Sequence, residues 1–349
     1  MQEYSGDKVK MQNKIKQYAP VLVTVYDRPN HFKQCIESLL KNPGVSETTL
    51  FISSDGPKDS LSIERVASVR DYIKSISGFK RVIPFTPKEN TGSAVMFEVI
   101  YRLQEFSDRY IISEDDNIFS PFFLNYINSA LDIYENDERI RAISGFMYPG
   151  FPSSKLQPIL IRAFAGWGTG YWRDKDIPFD LDEKKIAQNI FLDPELFNKI
   201  NYGLPSIPSM LKVIAEGKLI AGDVIRSAVL FKYDWYCVFP SMSMVRNIGN
   251  DGTGQHCGVN DTFFNQEISQ TEMIFDGYTH LEFDSFCQKW IIKYYGGKSA
   301  IMRNKLIFLE MNSSSKLLRD SWHLVYLLSG FLYREFSALK SFIRQKFSV

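Results

Sequence analysis

The sequence lacks paired cysteines. Cys35, Cys237, Cys257 and Cys287 are scattered over 349 residues with no CxxC spacing, so a disulfide framework is excluded and reduced thiols in a cytoplasmic protein are expected. It lacks a dominant charge. A formal net charge of +1 speaks against a global nucleic-acid binder or a protein built for acidic substrates. The opening stretch "MQEYSGDKVKMQNKIKQYAP" has no apolar core, so neither a secretory signal nor an N-terminal anchor is predicted. The most apolar segment, Leu324 to Tyr333, is shorter than the roughly 18 residues needed to span a bilayer. Internal repeats and low-complexity segments are also missing.

What remains is ordinary globular material, 44% hydrophobic and 23% charged, long enough for one large α/β domain with additions or for two domains. After a lysine-rich stretch over residues 1–19, predicted to be a mobile arm, apolar runs alternate with helical patterns. "PVLVTVYDRP" reads as a strand buried on both faces and ended by Pro29. "NHFKQCIESLLKN" reads as a helix with Asn30 as its cap. "TTLFISSDGP", "KRVIPF" and "RYIIS" give three further strands, separated by helices over "LSIERVASVRDYIKSI" and "NTGSAVMFEVIYRLQEF". This rhythm predicts a doubly wound, mainly parallel sheet. Ligands of such sheets sit beyond the carboxyl ends of the strands, where "YDRP", "SSDGP" and "SEDDN" fall.

Beyond residue 120 the pattern is mixed. "SPFFLNYINSALDIYEND" predicts a helix capped by Ser120 with Pro121 at its first position. "RAFAGWGTGYWRDKD" predicts a cleft-lining loop, residues 179–220 predict short helices, and "KYDWYCVFPSMSMVRNIG" predicts a strand pair. The Gly-, Asn- and Asp-rich loop over residues 247–260 is predicted to act as a lid over bound ligand.

The run Glu114, Asp115, Asp116 behind a buried strand demands a compensating positive charge. A lysine, an arginine or a hard divalent cation on a diphosphate would supply it. A solvated turn that caps the following helix would need none.

Taken in order, "VYDRP", "SSDGP", "SEDDNIFSPFFLNYI", "FAGWGTGYW", "GDVIR", "CVFPSMSMVRNIG" and "TGQHCGVNDTFFNQ" resemble the GT-A glycosyltransferases. More narrowly, over roughly residues 20–275 they resemble the N-acetylglucosaminyltransferase I type. That resemblance implies a GT-A (Rossmann-like) α/β fold, a mixed, mainly parallel sheet flanked by helices with a C-terminal helical tail. It implies a metal-dependent inverting transfer of sugar from a UDP-sugar, UDP-GlcNAc being one candidate, to a glycan. It implies Arg28 and Asp55 at the nucleotide, Glu114 at the donor sugar and Asp115 at the ribose. Asp116 would ligate Mn²⁺ or Mg²⁺, and Asp223 of "GDVIR" would be the general base, with Asp234 the next candidate. Arg246 would face the diphosphate and His256 the diphosphate or the metal, and Phe164, Trp167, Tyr171 and Trp172 are candidates for stacking on sugars.

The expected division is an arm (1–19), a glycosyltransferase domain (20–300, with a nucleotide-binding half to 120 and an acceptor half beyond) and a helical tail (301–349). The tail places Phe336, Leu339, Phe342 and Ile343 at helical spacing beside Lys340, Arg344 and Lys346. That pattern predicts an amphipathic helix on the anionic inner membrane surface, or one packed on the domain. A bacterial enzyme of surface polysaccharide synthesis, peripheral to the inner membrane and using a lipid-linked acceptor, is the expected setting. Two other functions share parts of the pattern. A nucleotide-sugar-forming nucleotidyltransferase would carry a Gly-rich phosphate loop after the first strand, and "VYDRPN" has no glycine. A non-catalytic membrane-peripheral assembly factor would not need an intact acidic run.

Overall fold

A computed structural model describes residues 15–253 and 261–347. The chain alternates β1 (Val21–Val25), α1 (Pro29–Leu39), β2 (Thr49–Ser54), α2 (Ile63–Ser75), β3 (Arg81–Phe85), α3 (Ser93–Phe106), β4 (Arg109–Glu114) and β5 (Asn117–Phe119). It continues through α4 (Phe123–Ile133), β6 (Ile140–Ser144), β7 (Pro158–Ile161) and β8 (Thr169–Trp172). Four helices follow, α5 (Glu183–Leu192), α6 (Pro194–Gly203), α7 (Ile207–Ala215) and α8 (Gly222–Lys232), then β9 (Tyr236–Pro240) and β10 (Val245–Asn247). The described chain closes with α9 (Asp261–Phe264), α10 (Ser285–Tyr294), α11 (Gly297–Met311) and α12 (Lys316–Phe347).

Eight strands form one mixed sheet in the order β3-β2-β1-β4-β8-β6-β9-β7. Its β3-β2-β1-β4 half is parallel, with Val23 opposite Ile52 on one side and Ser113 on the other. β8 then runs antiparallel to β4. Val21, Leu22, Val23, Leu50, Ile52 and Ile111 are completely buried, as expected of parallel strands covered on both faces. The strand–helix order and the mainly parallel sheet are as the sequence predicted.

By packing, the chain forms two units, one made of residues 1–160, 165–176 and 238–282, the other of 161–164, 177–237 and 283–349. The first carries most of the sheet and the second is helical.

Local details differ from expectation. Residues 16–19 are pinned: Lys16 N donates to Asp132 Oδ2 (2.9 Å) and Ala19 N to Asn128 Oδ1 (2.7 Å). The part of the predicted arm before residue 15 lies outside the described residues. The cap of α1 is Arg28, with Pro29 at the first helical position, and Asn30 already lies inside the helix. α4 starts at Phe123, and Ser120 closes the preceding turn by accepting from Phe122 N (3.1 Å). β9 and β10 do not pair with each other; β10 runs antiparallel to β5 as a separate two-stranded ribbon.

In the helical unit, residues 301–311 complete α11, which buries Ile301 and Ile307. One side of α12 packs on α11: Arg303 lies over the Tyr326 ring at 4.7 Å and its Nε donates to Ser329 Oγ (3.3 Å). The other side leaves Leu317, Leu324, Leu328 and Phe331 more than half exposed. Their spacing of seven, four and three residues makes one stripe.

Candidate functional site

β4 delivers its last residue, Glu114, to the surface, and the chain then turns through Asp115 and Asp116 into β5. Both aspartates are buried, with 4% and 6% exposure, so they need partners. The partner is Arg28. At the end of β1 the chain turns directly into α1, and Pro29 fixes the first helical residue. From this cap position Arg28 Nη2 donates to Asp115 and, at 2.8 Å, to Asp116 Oδ2. Its Nη1 is buried and meets no acceptor among the described residues. Of the three possible compensating charges, the protein itself provides an arginine.

The ribbon of β5 and β10 builds the opposite wall. Asn247 Nδ2 donates to Asp116 Oδ1 (2.7 Å), and Ile248 N donates to the Asp116 carbonyl (2.8 Å). Asn247 Oδ1 in turn accepts from Gly249 N (2.9 Å) and Asn250 Nδ2 (3.1 Å). A Cβ on Gly249 would lie 1.9 Å from Asp116 Oδ2 and 3.0 Å from Arg28 Nη1. Only a residue without a side chain lets this backbone come so close. His31 Nε2, one turn along α1, lies 3.1 Å from Asp251 Oδ2 and ties the same segment down.

One guanidinium faces two buried carboxylates and cannot neutralise both. Burial lowers the Arg28 pKa, but the charges of Asp115 and Asp116 outweigh it, and the net direction is up. Burial pushes the Asp115 carboxyl up to about 7, with Asp116 adding to the rise and Arg28 opposing it. Unfolded, this group titrates near about 3.9. Between these values the native state holds a proton that the unfolded chain has lost, so this group makes stability fall as pH rises from about 4 to about 7. In ligand-free protein the urea midpoint of Asp115→Asn should therefore show less decline between pH 5 and pH 8 than that of the wild type. Equal declines would mean that Asp115 is ionised throughout.

The other sequence candidates are placed as follows. Asp55 is buried and its carboxylate is engaged: Oδ1 accepts from Gly56 N and Thr91 N, and Oδ2 from Gly92 N, all at 2.8–2.9 Å. It thus braces the turn before α3. Arg246 lies between Val245 and Asn247 on β10, and strand alternation sends its side chain to the face opposite Asn247. Tyr171 and Trp172 belong to β8 and are core residues, contrary to the cleft-loop expectation. Tyr171 stacks on Tyr110, and the Trp172 indole N–H donates to the Leu131 carbonyl. The strand is buried at every position, and its glycine and the glycines before it hid that in the sequence. Trp167 is half-buried at the edge-to-face contacts with Phe146 and Phe263. Phe164 is buried against Arg226. His256, and the 254–260 part of the expected lid, lie outside the described residues.

Asp223 sits in the helical unit at the second position of α8, exposed, and accepts from Val224 N (2.9 Å). Glu183 is close by. It accepts from Ala221 N (2.7 Å), and burial, together with the charge of Asp223, raises its pKa. Asp234, at φ 54°, is engaged by Arg162 (3.1 Å) and Lys199 (3.7 Å).

The acidic turn suits a hard cation of the diphosphate-bridging kind. Its donors are carboxylate oxygens, and the Gly249 backbone leaves a close cradle around Asp116. No group of three or more His, Cys, Asp or Glu among the described residues forms a protein-only cage. A small divalent cation that takes one or two carboxylates and completes its shell with phosphate oxygens and water needs none. A cavity of about 520 Å³ lined by Tyr18, Thr49, Lys80 and Arg81 lies at the amino ends of the strands, the wrong edge for a parallel-sheet ligand site.

The sequence model of the GNT-I family matches residues 3–151, less than half of the chain but containing Arg28, Asp55 and the whole acidic turn. This chain is a glycosyltransferase that resembles the GNT-I family over those residues. No curated protein matches the sequence. Among solved structures, a mannosyltransferase from Pyrobaculum calidifontis, in complex with GDP-Man and Mn²⁺, is 11% identical with a TM-score of 0.37, over 61% of this chain and 69% of its own. S. aureus TarS (1–349) is 9% identical with a TM-score of 0.37, over 84% and 80%. Against a longer TarS chain the match covers 43% of that chain. Mouse xyloside xylosyltransferase 1 is 10% identical with a TM-score of 0.35, over 62% and 82%. Scores of this size bear on neither donor nor acceptor. The glycosyltransferase assignment rests on the family match.

Proposed function

We propose that the glycosyltransferase transfers a sugar from a UDP-sugar to a glycan acceptor with inversion, assisted by Mn²⁺ or Mg²⁺. The observation that carries this reading is the buried Asp115–Asp116 turn, paired with Arg28 and closed by Gly249, at the carboxyl end of β4. Asp116 would hold the cation, and Arg28, with its unpartnered Nη1, would turn to the diphosphate. The bound cation would neutralise charge growing on the departing diphosphate. Glu114, exposed at the end of β4, would meet the donor sugar. Asp55 would act by bracing the turn at residues 90–92, beside the nucleotide. Asp223 would remove the proton of the attacking acceptor hydroxyl, and Trp167 would stack on a sugar face. A screen of UDP-sugars with Mn²⁺, read as released UDP with and without glycan acceptors, tests the reading. Proton NMR of the product tests inversion: a coupling constant showing retention would remove the single-displacement mechanism.

The acceptor is proposed to be a lipid-linked glycan, reached from the membrane surface. No described helix is long and apolar enough to cross a membrane. The exposed stripe of Leu317, Leu324, Leu328 and Phe331 on α12 suits a helix lying in the interface plane. The basic residues Arg334, Lys340, Arg344 and Lys346 follow in the sequence, each worth about 1 kcal/mol near an anionic surface. The full chain should sediment with vesicles containing anionic lipid. Leu324→Glu combined with Leu328→Glu should abolish sedimentation and leave the melting temperature within about 2 °C, because both residues are on the side away from α11 and surface substitutions are nearly neutral. Sedimentation unchanged by this pair would remove the membrane assignment.

A further inference from the structure

We propose that Asn247 is a positioning residue that holds Asp116 in the orientation needed for cation binding. The inference rests on the reading of the acidic turn as the cation–diphosphate site.

Asn247 is the last residue of β10 and is 2% exposed. Its amide nitrogen donates to Asp116 Oδ1 at 2.7 Å, while Arg28 takes the other oxygen, Oδ2, at 2.8 Å. The two donors approach different oxygens of one carboxylate and so fix its plane. Asn247 has a second task. Its carbonyl oxygen accepts from Gly249 N and Asn250 Nδ2, which folds the backbone back over Asp116 until Gly249 allows no Cβ. One carboxamide therefore sets both the angle of the carboxylate and the wall beside it.

The residue type follows from the geometry. The position needs a donor toward Asp116 and an acceptor toward Gly249 on two separate atoms at the δ position; an amide offers this without charge, whereas a hydroxyl carries both functions on a single atom one bond nearer the backbone. An aspartate here would present an oxygen to an oxygen. A glutamine would carry one methylene too many for a site that is already full. When the cation is bound, Arg28 is free to leave Oδ2 for the diphosphate, whereas the neutral Asn247 has no reason to leave Oδ1. Asn247 is then what keeps Asp116 aimed during that exchange, in the way partners behind a metal ligand usually do.

The test measures the affinity of Mn²⁺ for the protein at saturating UDP, from the electron paramagnetic resonance signal of free Mn²⁺, at 15 °C. Asn247→Ala should weaken Mn²⁺ binding by about 10–100-fold, the usual size of such losses. Asn247→Thr, of equal bulk and well suited to a strand, should do the same and guards against a folding defect. Circular dichroism melts locate the folded range, so that affinity is read on folded protein only. If both variants fold and bind Mn²⁺ as the wild type does, Asn247 is a purely structural residue and the inference is wrong. If the wild type itself binds no Mn²⁺ in the presence of UDP, the site reading has failed and this inference with it.

Discussion

Arg28→Met should destabilise the ligand-free protein by about 3 kcal/mol and abolish UDP binding. Removing one partner of a buried charge group leaves the other uncompensated and costs about 3–5 kcal/mol. The low end applies because the Arg28 side chain keeps 19% of its surface exposed. Two carboxylates, Asp115 and Asp116, lose their shared donor at once. The double variant Arg28→Met, Asp115→Asn should recover part of the lost stability, since one acid no longer needs a counter-charge. It should not recover UDP binding. Urea denaturation of the wild type and the two variants decides the stability claim. A midpoint for Arg28→Met equal to that of the wild type would show that water, not Arg28, compensates the acidic turn.

Asp223→Asn should lower turnover by a factor of about 100 to 10,000, the usual contribution of a general base, with UDP and Mn²⁺ affinities unchanged. The carboxylate stands exposed at the start of α8 with Glu183 nearby. Its backbone contact through Val224 N can be kept by the asparagine side-chain oxygen, so folding should be preserved. Normal turnover in this variant would move the base elsewhere, and Glu183 would be the next residue to substitute.

The parallel half of the sheet was legible because its strands are continuous apolar runs, such as "VLV" in β1 and "LFI" in β2, buried on both faces. The acidic turn was legible for the same reason: three acids behind such a run cannot be ordinary core. Arg28 could be named from the resemblance, but its direct pairing with both aspartates is a matter of where α1 begins. Local caps misled. Asn30 has the right residue type, yet Pro29 had already fixed the helix start one residue earlier. "GTGYW" looked like a loop because of its glycines, although Tyr171 and Trp172 fill the core beside Tyr110 and Leu131. Asn247 and Gly249 were read as part of a loose polar loop. Their role depends on pairing between β5 and β10, more than 120 residues apart in the chain, and a three-residue ribbon leaves no periodic signal.

The central claim is that the acidic turn binds a nucleotide diphosphate through a divalent cation. Isothermal titration of UDP into the wild type and into Asp116→Ala, each with and without Mn²⁺, tests it most directly. The account predicts a heat of binding in the wild type that requires Mn²⁺, and none in Asp116→Ala. Mn²⁺-dependent UDP binding of wild-type strength in Asp116→Ala would contradict it.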